Sequence, residues 1–162
     1  MKIISALILI SVLLSLFACK PMVTIYVVRH AEKADSSRDP DLSEAGRIRA
    51  ARLAELLKNE KITVIYSTNY KRTIQTAVPL STMTGSPIQF YTPDSLPELV
   101  NGLKQLHQNA LVVGHSNTTI SVLDAFGLSF SGKKIEEGDY SNLFKVTTYP
   151  NSKKIRLKEL KF

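Results

Sequence analysis

Apolar residues along the chain fall into short runs separated by longer amphipathic segments. The runs Met22 to Val28, Ile62 to Tyr66 and Ala110 to Val113 are rich in β-branched residues and lack clean alternation, which is typical of strands buried on both faces. Ile88 to Tyr91 is a weaker run of the same kind. These positions predict four strands of one central sheet.

The segments between the runs have the periodicity of amphipathic helices. Ser43 is a predicted N-cap, and the helix after it extends to about Lys58, with leucines on one side and charged residues on the other. Near the end of the chain, Asn142 to Tyr149 and Lys154 to Leu160 alternate apolar with polar residues, which predicts a hairpin. Three further helices are expected over about residues 70–84, 95–108 and 117–125.

The order of these elements predicts an α/β fold with a mostly parallel central sheet and crossover helices on both faces. The chain has 162 residues, of which 44% are hydrophobic and 22% charged, so one globular domain is expected. Ligands of such sheets bind beyond the carboxyl ends of the strands. Those ends are therefore the places where we expect functional residues.

The N-terminal stretch MKIISALILISVLLSLFAC predicts a signal peptide and not a part of the fold. Its apolar run, Ile3 to Ala18, is 16 residues long, whereas an untilted membrane-spanning helix needs about 20, so a permanent anchor is the weaker alternative. Leu16-Phe17-Ala18-Cys19 resembles the lipobox of bacterial lipoproteins. We expect cleavage before Cys19, lipidation of Cys19, and an exported domain over 19–162, held at a membrane and facing the periplasm or the cell exterior.

Charge and cysteine content narrow the classes of partner. Cys19 is the only cysteine, which excludes a disulfide within the chain. The net charge of +7 is compatible with anionic partners. The C-terminal stretch KKIRLKELK could form a nucleic-acid patch, but alternating charge is also typical of an edge strand, and no aromatic residues interleave with it. We therefore expect no nucleic-acid partner.

Cationic residues follow three of the predicted strands. Arg29 and His30 follow the run that ends at Val28. Arg72 comes shortly after the run that ends at Tyr66, and His115 comes just after the run that ends at Val113. Arginine offers paired donors that match phosphate oxygens, so a phosphoryl ligand is the natural guest of a rim where these residues meet. A neutral imidazole can also attack phosphorus and form a covalent phosphohistidine.

Four segments resemble motifs of the histidine phosphatase superfamily, in its phosphoglycerate-mutase-like branch, and the resemblance runs from about Thr24 to Tyr149. YVVRHAEK resembles the RHG-type motif, with Ala31 where the family usually has Gly. DLSEAGRIRAARLAELL resembles the segment of the family's first helix, and IYSTNYKRTIQTA its S-x-x-x-R-T/A-x-x-T-A motif. LVVGHSN resembles the motif of the second histidine.

The resemblance implies a three-layer α/β/α sandwich and the hydrolysis of phosphate esters without a metal or other cofactor. It makes His30 the phosphate acceptor and places Arg29, Arg72 and His115 in the phosphate pocket. Ser67 and Asn117 lie beside these motifs and are candidate substrate contacts, with hydrogen bonds in a turn or a helix cap as the alternative.

The proton donor for the leaving group is not marked by a motif, because the acidic segment of mutase-type members is not recognisable. Glu32 and Glu98 are candidates. Glu32 could instead be a solvated loop carboxylate or a partner for Lys33, and Glu98 could belong to a capping box with Ser95. A good leaving group, such as that of an aryl phosphate or a phosphohistidine, would need no strong acid.

Other site classes fit the sequence less well. Gly114-His115-Ser116 resembles the start of a serine-hydrolase nucleophile elbow, but Thr118 replaces the last Gly and no histidine follows His115. His107 lies in a predicted helix without a motif, so a structural role is expected, and the histidines show no metal-ligand spacing. The acidic loop lacks the spacing of a calcium loop; it contains Glu32, Asp35, Asp39 and Asp41.

The sequence thus predicts a membrane-tethered, metal-independent phosphatase. Little material is inserted between the strands to build a lid, which favours an open site for a small phosphomonoester or a phosphorylated protein side chain. Mutase activity is disfavoured because it requires a closed pocket that retains the phosphate. The alternative from another class is a noncatalytic module that binds anions with the same pocket.

Overall fold

The structure, a computed structural model, describes residues 22–132, 134–149 and 154–162. The predicted signal peptide and Cys19 lie outside these residues. Within the described ranges no helix is long and apolar enough to cross a bilayer. In chain order the elements are β1 (Val23–Arg29), α1 (Glu44–Leu57), β2 (Ile62–Ser67), α2 (Lys71–Thr84), β3 (Ile88–Phe90), a 3₁₀ turn (Pro93–Ser95), α3 (Leu96–Gln105), β4 (Asn109–Gly114), α4 (Ser116–Ala125), β5 (Asn142–Thr148) and β6 (Ile155–Lys161).

The strands form one six-stranded sheet in the order β3-β2-β4-β1-β5-β6. The first four strands in this order pair in parallel. β5 pairs antiparallel with both β1 and β6, so the predicted C-terminal hairpin extends one edge of the sheet. The predicted mostly parallel α/β sheet is confirmed.

Helices cover both faces of this sheet and give it three layers. α1 and α2 pack against one face, in a core that includes Leu53, Leu80 and Leu111. α3 and α4 pack against the other, in a core that includes Val100 and Val122. Every residue of β1 is buried, which explains why the first apolar run lacks alternation.

Local signals account for two of the helix ends. The Ser43 hydroxyl accepts a hydrogen bond from the backbone N–H of Gly46 at 3.1 Å, as expected of an N-cap. α2 ends at Gly85, whose φ of 72° is the left-handed conformation that glycine adopts without strain.

The capping box expected at the start of α3 is not formed. Ser95 makes no side-chain cap to α3, and its hydroxyl instead accepts a hydrogen bond from the backbone N–H of Thr92 at 3.2 Å. Ser95 is instead the last residue of a capping box that begins at Thr92, three residues before the position that the sequence pattern indicates. Glu98 therefore has no capping partner there. α3 also ends at Gln105, three residues before the predicted end.

The register of the parallel strands brings their carboxyl ends to one edge. Arg29 at the end of β1 lies opposite Gly114 at the end of β4, and Ser67 at the end of β2 lies opposite Val113. The residues that follow these strands, among them His30 and His115, therefore emerge side by side, as the sequence predicts.

Candidate active site

His30 is buried at the end of β1, with an exposed fraction of 3%. Its backbone N–H donates to the carbonyl of Gly114 at 2.8 Å, which ties it to β4. Its Nδ1 lies 2.7 Å from the carbonyl of Ala31, so Nδ1 carries the proton and donates it to that oxygen. Nε2 is then left with the lone pair. Burial above all lowers the pKa of His30 to about 3, which keeps the ring neutral near pH 7.

Ala31 occupies the usual glycine position of the motif without strain. It is buried against Leu42 and Ala50, and its N–H donates to the Thr76 hydroxyl at 3.0 Å. Among the described residues other than glycine, Lys61 is the one with a positive φ, so Ala31 has an ordinary backbone conformation. The departure from the family pattern therefore leaves the histidine loop intact.

Arg29 is also buried, with an exposed fraction of 3%. Its Nη1 donates to the carbonyls of Glu136 and Glu137 at 2.9 and 2.8 Å, and its Nη2 lies 3.3 Å from the Glu137 carboxylate. The Tyr140 ring stacks 4.4 Å from the guanidinium. Its Nε is buried and has no hydrogen-bond partner, so this guanidinium keeps an unused donor.

Arg72 and His115 are in direct contact. Nη2 of Arg72 lies 3.3 Å from Nδ1 of His115, and because a guanidinium can only donate, Nδ1 must accept. The proton of His115 is therefore on Nε2, which lies 3.0 Å from the hydroxyl of Thr68. Burial, followed by the charges of Arg72 and Arg29, lowers the pKa of His115 to about 4.

A chain of hydroxyl groups holds this tautomer of His115. The Thr68 hydroxyl accepts from His115, so its own proton is free to donate to the Thr73 hydroxyl at 3.1 Å. Thr73 in turn donates to the carbonyl of Thr68 at 2.8 Å. Both threonines are fully buried, and the Thr73 hydroxyl also lies 2.9 Å from the carbonyl of Tyr70, so every hydroxyl proton in this series has a protein acceptor. The loop between β2 and α2 thus sets the protonation of a histidine that is more than 40 residues away in the sequence.

These side chains surround an open pocket of about 350 Å³. The rings of His30 and His115 meet edge to face with centroids 5.4 Å apart. Like Arg29, Arg72 has a buried Nε without a partner. Three cations and one carboxylate, that of Glu137, are among the described lining residues, so the pocket is suited to an anion. The lining residues are Arg29, His30, Lys33, Tyr70, Arg72, Pro93, His115, Ser116, Asn117, Thr118 and Glu137.

The structure brings together most of the side chains that the sequence singles out. Arg29, His30, Arg72, His115 and Asn117 all line the pocket. The other candidates do not line it: Ser67, Glu98, Glu32 and His107.

Three of these candidates have other surroundings. Ser67 is fully buried, and its hydroxyl donates to the carbonyl of Thr68 at 2.9 Å, which is the turn alternative considered for it. Glu98 is exposed on α3. His107 is exposed just beyond α3 and not inside a helix, because α3 is shorter than predicted.

Glu32 is held by Arg49 and not by Lys33. Nε of Arg49 lies 2.8 and 3.0 Å from the two carboxylate oxygens of Glu32. Partial burial raises the pKa of Glu32, but the hydrogen bonds and charge of Arg49, together with a backbone hydrogen bond, outweigh it, and the net shift is downward. A general acid needs the opposite shift. This geometry gives no support to Glu32 as the proton donor.

Sequence reasoning missed Glu137, Tyr140, Tyr70 and Thr68. Tyr70 packs against the His115 ring and lies 4.6 Å from the Arg72 guanidinium. Glu137 and Tyr140 are more than 100 residues from Arg29 and belong to no motif, so no local signal could identify them. Across the described ranges, no three His, Cys, Asp or Glu side chains are grouped so that they could hold a metal ion.

The fold and the pocket define a class: three-layer α/β/α proteins with two histidines and two arginines at the strand exits. The sequence model of the "Histidine phosphatase superfamily (branch 1)" matches residues 25–102, which include Arg29, His30 and Arg72. This match confirms the resemblance that the motifs indicate. His115 lies beyond the matched residues, so its place in the pocket rests on the geometry.

Comparison with individual proteins agrees with this assignment. Phosphoserine phosphatase 1 from Hydrogenobacter thermophilus is 42% identical over 67 residues, which cover 37% of this chain and 32% of that protein. The match therefore spans about a third of this relative's length.

Two solved structures share the fold at low sequence identity. A mycobacterial glucosyl-3-phosphoglycerate phosphatase superposes with a TM-score of 0.66 at 15% identity, covering 87% of this chain and 99% of that chain. The protein histidine phosphatase SixA complexed with tungstate has a TM-score of 0.67 at 16% identity, with coverage of 85% and 96%. These similarities confirm the predicted three-layer fold.

Proposed function

We propose that this protein is a phosphatase that hydrolyses phosphomonoesters or phosphorylated protein side chains through a phosphohistidine on His30. The supporting observation is the protonation state of the His30 ring. Nδ1 donates to the Ala31 carbonyl, so Nε2 has its lone pair available in a pocket that also contains two guanidiniums. A neutral, buried imidazole with one committed nitrogen is a competent nucleophile.

In the first step, the phosphoryl group binds against Arg29 and Arg72, which both line the pocket and which each have one Nε–H without a protein partner. Nε2 of His30 attacks phosphorus, and the bond from phosphorus to the leaving oxygen breaks. The guanidiniums stabilise the charge that spreads over the equatorial oxygens. In the second step, water attacks the phosphohistidine, releases inorganic phosphate and restores neutral His30.

His115 also takes part in binding the phosphate. A bound phosphate dianion competes with Nδ1 of His115 for the donors of Arg72, which lies 3.3 Å from it. The same dianion favours protonation of Nδ1, since an opposite charge nearby stabilises the imidazolium. The protonated ring can then donate to a phosphate oxygen from Nδ1 while Nε2 still donates to Thr68.

The leaving group needs no dedicated acid in this proposal. Glu32 is engaged by Arg49, and Glu98 is exposed on α3. The carboxylate of Glu137 pairs with Arg29 and Lys33 at 3.3 and 3.4 Å and so is engaged as well. Esters with good leaving groups are therefore the preferred substrates, and catalysis requires no metal or other cofactor.

We also propose that the protein is an exported lipoprotein tethered to a membrane through Cys19. Cys19 lies four residues before the start of β1 at Val23, and the pocket lies at the opposite end of that strand. Seven residues of β-strand span about 20 Å, so the pocket would face away from the membrane surface. Cys19→Ser should release the full chain from membranes on fractionation, and a variant that stays bound would contradict a lipid anchor.

The central test is hydrolysis of an aryl phosphate by the detergent-solubilised full chain in the presence of a chelator. We expect turnover to persist with the chelator, and an acid-labile phosphoryl label to appear on His30. His30→Ala should abolish both, whereas His107→Ala, a histidine outside the pocket, should change neither. Activity that survives His30→Ala would overturn the mechanism. Phosphate binding without turnover would favour the noncatalytic module.

A further inference from the structure

A second cleft, of about 300 Å³, adjoins the phosphate pocket. Ser116 and Asn117 line both, so the two spaces meet at the first turn of α4. The rest of the cleft is formed by Ile120, Lys134 and Ile135.

The inner wall of this cleft is apolar and firmly placed. Ile135 is buried, and Ile120, one helical turn after Ser116, packs against the same core. The chain beyond Ile135 leads directly to Glu136 and Glu137, whose carbonyls accept hydrogen bonds from Arg29. The arginine that would bind phosphate therefore also holds the cleft wall in position.

In-line displacement determines where the leaving group must go. The nucleophile is buried at the end of β1, and the group that departs lies on the opposite side of phosphorus, towards the mouth of the pocket. On one side, the pocket is lined by Tyr70 and by Pro93 of the 3₁₀ turn. The Tyr70 ring already contacts Arg72 and His115. The α4 side opens into the adjoining cleft.

We propose that this cleft is the leaving-group subsite and that it selects an aromatic leaving group: a phosphorylated phenol, of which a phosphotyrosine side chain is the protein-borne example. Ile120 and Ile135 can contact a ring but cannot hydrogen-bond the hydroxyls of a sugar or glycerate. The polar lining residues are Ser116 and Asn117, which the cleft shares with the phosphate pocket, and Lys134, which is already paired with Glu136 at 3.1 Å. The proposal rests on the phosphatase function above and adds the substrate class.

The experiment compares kcat/KM for phenyl phosphate with that for O-phosphoserine, using the detergent-solubilised full chain. In Ile120→Ser we expect the phenyl-to-serine ratio to fall about tenfold, mainly through KM, because an apolar contact to the ring is lost. Inhibition by inorganic phosphate should be unchanged, since phosphate does not reach the cleft. Ile48→Ser, the same substitution at an exposed position on α1, is the matched control and should leave the ratio unchanged.

A second variant covers the case in which Ile120→Ser does not fold. Ile120→Trp fills the cleft, and it should lower kcat/KM for phenyl phosphate while O-phosphoserine hydrolysis is retained. An unchanged ratio in a folded Ile120 variant, with both esters still hydrolysed, would overturn the subsite and leave the phosphatase proposal standing. If the wild-type chain hydrolysed neither ester, the subsite and the phosphatase proposal would both be overturned.

Discussion

Two cationic regions of this molecule differ in their surroundings: the strand-exit rim and the β5–β6 hairpin. At the rim, Arg29 and Arg72 have exposed side-chain fractions of 3% and 14%. On the hairpin, Lys145 and Lys158 lie directly opposite each other on neighbouring strands, and Arg156 is exposed on the same face. The two regions contain the same residue types in different surroundings.

The comparison shows that the burial and hydrogen bonding of a cation, and not its positive charge alone, distinguish a binding site. Burying a guanidinium is costly unless its donors are used, and at the rim the carbonyls of Glu136 and Glu137 and the Tyr140 ring compensate Arg29. One buried donor of each rim arginine is nevertheless left without a partner. On the hairpin, Lys158 is exposed and the partly buried Lys145 is paired with Glu60 at 3.8 Å, so neither has a buried donor without a partner.

The largest contrast between the two regions is expected on catalysis. Arg72→Gln should lower kcat/KM for an aryl phosphate about a hundred- to thousandfold, because it removes a donor to the transferring phosphoryl group. Lys158→Gln on the hairpin removes the same charge and should leave kcat/KM unchanged. Equal losses in steady-state assays of the two variants would show that overall charge, and not the pocket, attracts and processes the substrate.

A smaller loss is expected when the support of His115 is removed. Thr68→Val deletes the hydroxyl that accepts from Nε2 of His115, so the ring is no longer held in one tautomer. We expect kcat/KM to fall about tenfold, and the ¹⁵N resonances of the His115 ring to shift towards a mixture of tautomers. Thr68→Ser keeps the hydroxyl and should restore both readouts. Wild-type resonances in Thr68→Val would contradict the hydroxyl chain.

The two histidines of the rim should also make folding sensitive to pH. Histidine in an unfolded chain titrates near 6.5, and in the folded chain the pKa values of His30 and His115 are lowered to about 3 and 4. Between these limits the unfolded chain binds more protons, so the free energy of unfolding rises with pH. The stability present above pH 6.5 is therefore lost as the pH falls towards 4 and 3.

Urea unfolding at several pH values measures this loss. His30→Asn should flatten the dependence between pH 6.5 and 4, because one fewer proton is taken up on unfolding. His107→Asn is the control, since His107 is exposed and outside the pocket. An unchanged slope in His30→Asn would mean that His30 is not neutral in the folded protein.

The smallest effects separate two carboxylates. Glu137 competes with phosphate for Arg29, but its side chain is 75% exposed, so Glu137→Gln should tighten inhibition by inorganic phosphate only about two- to fivefold.

Glu32→Gln disrupts the pair with Arg49 and should lower the free energy of unfolding by about 1 kcal/mol without changing kcat. A kcat that drops only for poor leaving groups in Glu32→Gln would instead identify it as the proton donor.

Short stretches of sequence are sufficient to predict the strands, the helices and the pocket's main cations. A fully buried strand such as Val23–Arg29 has an unbroken apolar pattern, and Ser43 and Gly85 mark helix ends through their own backbone chemistry. Because parallel strands end at one edge, the positions of Arg29, His30 and His115 follow from the strand order alone.

What surrounds these residues depends on contacts between distant segments. The sequence by itself determined that two histidines and two arginines share one rim. Only the tertiary structure decided that Glu32 pairs with Arg49, that Thr68 sets the tautomer of His115, and that the segment with Glu137 encloses Arg29. The physical reason is that periodicity and capping act over a few residues, whereas hydrogen-bond partners and burial are settled when segments 17 to over 100 residues apart pack together.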